Sequence, residues 1–335
     1  MTRRSLLLGG AAAAMPTFAA PRTKMGIATT SLMTARRPRD TYEFLEYCDS
    51  LGAGGIQAPL SSMDPEYLKK LRTRAEQLGM YIEVMGELPK KEDTSAFETT
   101  VAAAKEAGAL SIRTAALGGR RYEDFSQLND WQAFVRRSLA AIDRALPIAA
   151  RRRMPLAIEN HKDWTAQELA TLIKARSSQY LGVCLDTGNN IALLDDPMEA
   201  IETLAPYALS THFKDMAVEP YPDGFRLSEV PLGEGIIDLK RAVDAVRRAH
   251  PQTRFTLEMI TRDPLDVPCL TDKYWATFPD RSGKCLARTL RLVRDSRARV
   301  PHLQRVSDQS RADLLQLEED NVKRCLDYAH TSLGL

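Results

Sequence analysis

An excess of charge of either sign is what this chain most lacks. Its 46 Lys and Arg against 44 Asp and Glu leave a net of +2, and no basic patch with interleaved aromatics appears, so the electrostatic footprint of a nucleic-acid binder is missing. Cysteine is scarce and unpatterned. Cys48, Cys184, Cys269, Cys285 and Cys325 show no paired spacing of the kind thiolate metal sites use, and their odd number leaves at least one thiol free. Cys184 lies inside an apolar run and reads as core. Cys269 and Cys285 flank a loop rich in Asp, Pro and Gly, where an oxidising compartment would permit a bridge. The apolar stretch near the N-terminus is too short and too rich in Ala and Gly for a membrane span. What is present is 44% hydrophobic and 27% charged residues, enough for a sizeable core under an ordinary soluble surface.

Residues 1–20 read as a targeting segment, outside the fold. Arg3-Arg4 precede Ser5-Leu6-Leu7-Leu8, Gly9-Gly10 and Ala11 to Ala14, and small residues end in Ala19-Ala20. Paired arginines, a mildly apolar stretch and a small-residue cleavage site resemble a twin-arginine export signal. The expectation is a periplasmic or otherwise exported protein, free of the membrane once the signal is removed. Residues 24–297 are then expected to form one domain, with a helical extension over 298–335 whose amphipathic pattern suits packing on the outside of the fold or on a second subunit.

The domain shows a regular step. Strand-like runs begin at Met25, Gly54, Tyr81 and Leu110, and the later runs end at Glu159, Asp186 and His212, so that most steps are 26 to 29 residues. One strand, one helix and two loops fit in such a step. Eight of them predict an α/β fold, a single (β/α)8 barrel with extended βα loops and an extra C-terminal helix. Two steps are long, Leu110 to Pro155 and His212 to Glu258, and a third insertion covers Thr261 to Gly283. Insertions after strands fall at the mouth of such a barrel. Tyr274, Trp275 and Phe278 in the last insertion either stack on a sugar ring or seal the loop, and sealing is the expected role.

Four apolar runs each stop at a potential ligand. Pro155 to Ile158 ends in Glu159, Leu181 to Leu185 in Asp186, Leu209 to Thr211 in His212, and Arg254 to Leu257 in Glu258. Continuous apolar runs read as strands buried on both faces, and the carboxyl ends of barrel strands converge on one mouth. Three carboxylates and an imidazole then suit one divalent ion, Mn2+ first, with Mg2+, Co2+ or Zn2+ as alternatives. Glu159 and Glu258, facing each other across the ion, suit proton transfer at a carbon beside a carbonyl. His161 and Lys214 have the same strand parity as Glu159 and His212 and are candidate substrate contacts, as are Asn189 and Arg113. Gln57 and Glu83 end earlier strands and are substrate-facing by position only.

Glu159-Asn160-His161, Asp186-Thr187-Gly188-Asn189, His212-Phe213-Lys214-Asp215, Glu258 and Pro231-Leu232-Gly233-Glu234-Gly235 together resemble the successive strand-end motifs of the xylose isomerase-like barrel superfamily, roughly from Lys24 to Arg297. The resemblance implies a metal-dependent sugar isomerase or epimerase working through an enediolate on a small carbohydrate, in a chain that is a possible homo-oligomer. Ketose 3-epimerases of the superfamily usually carry His three residues after the metal-binding Asp and Arg six after the metal-binding His. Here those positions are Asn189 and Val218, which favours the inosose and general sugar phosphate isomerase-like branches. A lyase, dehydratase or hydratase acting on a 3-keto sugar or glycoside is the alternative at the same site. Endonuclease-like phosphodiester cleavage is disfavoured, because of the five histidines only His161 and His212 stand at strand ends. A non-catalytic sugar-binding barrel is disfavoured by the complete ligand set.

Overall fold

Eight short strands, among the described residues, carry the architecture: β1 (Gly26–Ala28), β2 (Gly55–Ala58), β3 (Tyr81–Met85), β4 (Ile112–Thr114), β5 (Leu156–Glu159), β6 (Leu181–Asp186), β7 (Ala208–His212) and, after the pair β8 (Asp215–Tyr221) and β9 (Gly224–Val230), β10 (Thr256–Leu257). The computed structural model describes residues 22–32, 38–296 and 303–335. The expected export signal lies outside them. All pairings in the large sheet are parallel, in the order β10-β1-β2-β3-β4-β5-β6-β7. A bridge between Phe213 and Leu257 joins the two ends. The result is the expected (β/α)8 barrel. Every residue of β5 and β6 is buried, as strands covered on one face by helices and on the other by the barrel interior must be.

The intervening helices are α1 (Thr41–Ser50), α2 (Pro65–Leu78), α3 (Ser95–Glu106), α4 (Arg121–Asp124), α5 (Leu128–Arg152), α6 (Ala166–Arg176), α7 (Pro197–Leu204) and α8 (Leu239–Ala249). Local chemistry sets their ends. Asp64 caps α2, with Pro65 in its first turn and Gly79 left-handed at its end. Thr165 and Glu168 cap α6 reciprocally. At the amino-terminal floor, Tyr81 lies across the strands, and a Cβ on Gly55 would meet its ring at 2.4 Å. Only glycine fits that approach.

The long step after β7 holds a hairpin that the strand rhythm did not foretell. β8 and β9 pair antiparallel, and β11 (Leu265–Val267), from the last insertion, adds to β9. Asp215 anchors the return. Its Oδ1 accepts N–H bonds from Met216 and Ile237, at 2.9 and 3.1 Å, and its Oδ2 from Gly233 and Gly235, at 3.0 and 2.9 Å. The Pro231–Gly235 stretch is therefore a backbone cradle around one carboxylate. Asp215→Asn turns an amide N–H2 toward two of these donors, and we expect it to lower unfolding free energy by about 2–3 kcal/mol in urea titration.

In the insertion after β10, α9 (Asp272–Trp275) carries aromatic residues in the sealing role. Tyr274 is fully buried, donates to the Ala192 carbonyl at 2.8 Å, and stacks between Tyr122 and Phe278. After α10 (Gly283–Ser296), α11 (Arg311–Leu333) closes the chain against the barrel wall. Its buried stripe is Val322, Cys325, Leu326, Ala329 and Leu333, while Leu314, Leu315 and Leu317 are not buried. Asn321 donates to Thr261, and Tyr47 of α1 donates to Glu319. All five cysteines are free thiols. Among the described residues no helix is long and apolar enough to cross a membrane.

Candidate metal centre

The four strand-end residues meet. One ligand-type atom each from Glu159, Asp186, His212 and Glu258 lies within 4.8 Å of all the others, and all four residues are buried. Register explains the convergence. A bulge between Val183 and Cys184 shifts the β6–β7 pairing so that Asp186 stands level with His212. Glu258 follows β10 directly, and its N–H donates to the Phe213 carbonyl at 3.1 Å.

Each side chain is held by named partners. Asn160 accepts from the Asp186 N–H and donates to the Asp186 carbonyl, at 2.7 and 2.8 Å. The Gly188 and Asn189 N–H groups take Asp186 Oδ1, so Oδ2 is turned toward His212 and Lys214, 3.8 and 2.8 Å away. Glu159 gives Oε2 to Arg113 and accepts on Oε1 from Asn189 at 3.0 Å. Glu258 gives Oε2 to Lys214 and accepts on Oε1 from Thr30 at 2.9 Å.

His212 decides how this cluster fits a cation. Gln57 donates its amide N–H2 to Glu83 and Ser210, so its carbonyl oxygen accepts from His212 Nε2, 2.5 Å away. The proton sits on Nε2. Nδ1 then carries a lone pair, buried without a hydrogen-bond partner and 3.3 Å from both Glu159 Oε1 and Glu258 Oε1. Burial pushes the imidazole down to about 4, so it stays neutral at ordinary pH. A lone pair facing carboxylate oxygens is repulsive unless a cation lies between them. The donor set fits a divalent ion. We expect Gln57→Leu to free the ring and weaken Mn2+ binding by about 10–100-fold in chelator-competition titration.

Arg113, Asn189 and Lys214, candidate substrate contacts in the sequence, are paired with the four, and His161 lies close enough to Arg113, Glu258 and Lys214 to feel their charges. No hydrogen bond joins His161 to Glu159 among the described residues, its Nδ1 is buried without a partner, and burial lowers it to about 3. Orientation of Glu159 falls to Arg113 and Asn189 instead. Gln57 and Glu83, taken as substrate-facing from their strand positions, belong to a network beneath the centre. Glu83 accepts from Gln57, Ser210 and Thr256 at 2.9, 2.8 and 3.1 Å.

Four participants were not foreseen. Thr30 comes from the turn after β1. Lys162 is buried with a left-handed backbone, φ 42°, and its ammonium reaches Asn189 Oδ1. Glu229 of β9 is buried against Arg262 Nη2 at 2.6 Å and lies 3.9 Å from Lys214. Burial pushes the Glu258 carboxyl up, but the Lys214 ammonium bonded to its Oε2 works against burial, and the carboxyl lies well below the usual range. The centre opens beside a cavity of about 590 Å³, bounded by described residues that include Thr30, Phe44, Met85 and Arg113.

Residues 45–277 match the family described as xylose isomerase-like TIM barrel. The chain belongs to that family. A 3-oxo-isoapionate decarboxylase of Pectobacterium atrosepticum is 27% identical over 209 residues, 61% of this chain and 71% of the relative. Among solved structures of the same fold, an L-ribulose 3-epimerase superposes with TM-score 0.56 at 17% identity, covering 91% of this chain and 95% of that one. The IOLI protein with a bound zinc atom superposes with TM-score 0.52 at 15% identity, covering 81% and 98%. Members of the xylose isomerase-like family that modify sugars set the chemical class, and the buried four-residue cluster could hold a metal ion.

Proposed function

We propose that the protein is a divalent-metal-dependent sugar isomerase or epimerase that moves a proton at the carbon beside a carbonyl. The observation that carries this reading is the unpartnered His212 Nδ1 set between Glu159 Oε1 and Glu258 Oε1. Glu159, Asp186, His212 and Glu258 would hold the ion, Mn2+ first among the candidates. When bound, such an ion polarises a carbonyl and steadies negative charge on its oxygen.

The chain's own groups supply the rest. Lys214 keeps Glu258 ionised, so Glu258 enters as a base. Glu159, across the ring of His212, would take a proton from water and deliver it to the opposite face of the carbon, while Glu258 releases the proton it removed to water. Burial pulls the Lys214 ammonium down, but Asp186, Glu258 and Glu229 outweigh it and raise it well above the usual value, so Lys214 stays a cation and stabilises the developing enediolate oxygen. Arg113 and Asn189 fix the aim of Glu159.

A second reading uses the same residues for a lyase reaction, in which a bond to the carbon beside the carbonyl breaks and leaves the same enediolate. The decarboxylase relative favours it. Incubation of Mn2+-loaded protein with a panel of ketoses, aldoses and 3-keto sugars in deuterated water tests both. Deuterium entering one carbon of an intact sugar supports isomerisation or epimerisation, and loss of a fragment with deuterium in the remainder supports the lyase. Turnover without deuterium at carbon removes both.

A further inference from the structure

Charge around the centre leaves one cation without a carboxylate. Four buried carboxylates, Glu159, Asp186, Glu258 and Glu229, face four cations, Arg113, Lys162, Lys214 and Arg262. Arg113 pairs with Glu159, Lys214 with Asp186 and Glu258, and Arg262 with Glu229. Lys162 differs. Among the described residues its ammonium meets only the neutral Asn189 amide, although the residue is 4% exposed. Neighbouring acids are taken by other groups: Asp186 by Lys214, Glu229 by Arg262, and Asp163 accepts from the Leu117 and Trp164 N–H groups.

A buried ammonium with no anion is costly. Its backbone is held in the left-handed region, φ 42°, which is unfavourable for a residue with a Cβ, and the Lys162 carbonyl is fixed by the Arg121 N–H at 3.0 Å. Burial, then repulsion from Lys214, lowers the amine to about 7. An arriving anion offsets both effects by attraction and keeps the amine protonated. Resting on the metal reading above, the fixed charges balance before the ion is counted, so the loaded centre carries two positive charges in excess. One matches the negative charge that develops on the substrate oxygen during reaction, and the other calls for a charge the substrate brings.

We infer that the substrate is a sugar acid, and that Lys162 is the counter-ion of its carboxylate. One unmatched positive charge is neutralised by a monoanion and overshot by a phosphate dianion.

Binding of D-gluconate and of D-glucitol, which differ in carboxylate against hydroxymethyl, is to be measured calorimetrically on Mn2+-loaded protein and on Lys162→Met. Gluconate is expected to bind wild type at least about tenfold more tightly than glucitol, and the variant to lose about ten- to hundredfold for gluconate alone. The Mn2+ affinity of the variant, unchanged, shows that its centre is intact. Equal binding of the two probes, or none of gluconate, by Mn2+-loaded wild type overturns the inference while leaving the metal reading in place. A carboxylate preference that survives in Lys162→Met also overturns it, since the ion would then supply the attraction. Wild type that takes up no Mn2+ removes the metal reading itself, and the inference with it.

Discussion

Asp186→Ala and His212→Ala should each lose turnover by about three orders of magnitude or more, because the proposed chemistry depends on a polarised carbonyl that neither variant can present. The two losses have different local causes. His212→Ala removes the one neutral donor among three carboxylates and leaves the Gln57 carbonyl without its partner. Asp186→Ala removes the carboxylate nearest Lys214 after Glu258 and frees the Gly188 and Asn189 N–H groups that shape the turn. Both should weaken Mn2+ by more than the roughly 10–100-fold expected of an outer partner such as Gln57. The barrel should survive, since a site at a barrel's mouth is separable from its packed interior. Steady-state kinetics with Mn2+ titration and far-ultraviolet circular dichroism check all three statements. Either variant turning over at the parental rate would show that the site is elsewhere.

Glu159→Gln and Glu258→Gln should lower kcat by about 10²–10⁴-fold while keeping the side chain's shape and the one hydrogen bond that its amide oxygen can still accept. The variants should differ. Glu258 is held ionised by Lys214, so Glu258→Gln removes the base, and exchange of substrate hydrogen with deuterated water should stop together with turnover. Glu159→Gln should retain exchange while product formation fails, because the second carboxylate acts after the first proton has left. Equal exchange and equal turnover in the two variants would mean that the two carboxylates do not divide the proton steps between them.

Much of this centre was legible because each ligand ends a continuous apolar run. Glu159, Asp186, His212 and Glu258 follow stretches that only a doubly covered strand can bury, and the chain repeat then brings their ends together. Glu229 and Arg262 carry no such mark. They reach the centre from the hairpin and from the last insertion, 33 residues apart, through a fold whose second sheet the length of the step after His212 announced only as excess chain. Turn residues Asp223-Gly224 between two alternating runs were the available signal for that hairpin. Gln57 was misplaced for a related reason. Strand parity puts a residue inside the barrel, but its height within the barrel depends on strand stagger, and Gln57 lies below His212, where it sets the tautomer. Lys162 falls in a non-repeating loop, so its burial follows from tertiary packing alone.

The most direct test of the account is a crystal of the protein soaked in Mn2+ and measured at the manganese absorption edge. The account predicts one anomalous peak at about 2.0–2.4 Å from an oxygen each of Glu159, Asp186 and Glu258 and from Nδ1 of His212, with Nε2 still bonded to Gln57. No peak among these four residues, or a manganese bound through other side chains, would contradict it.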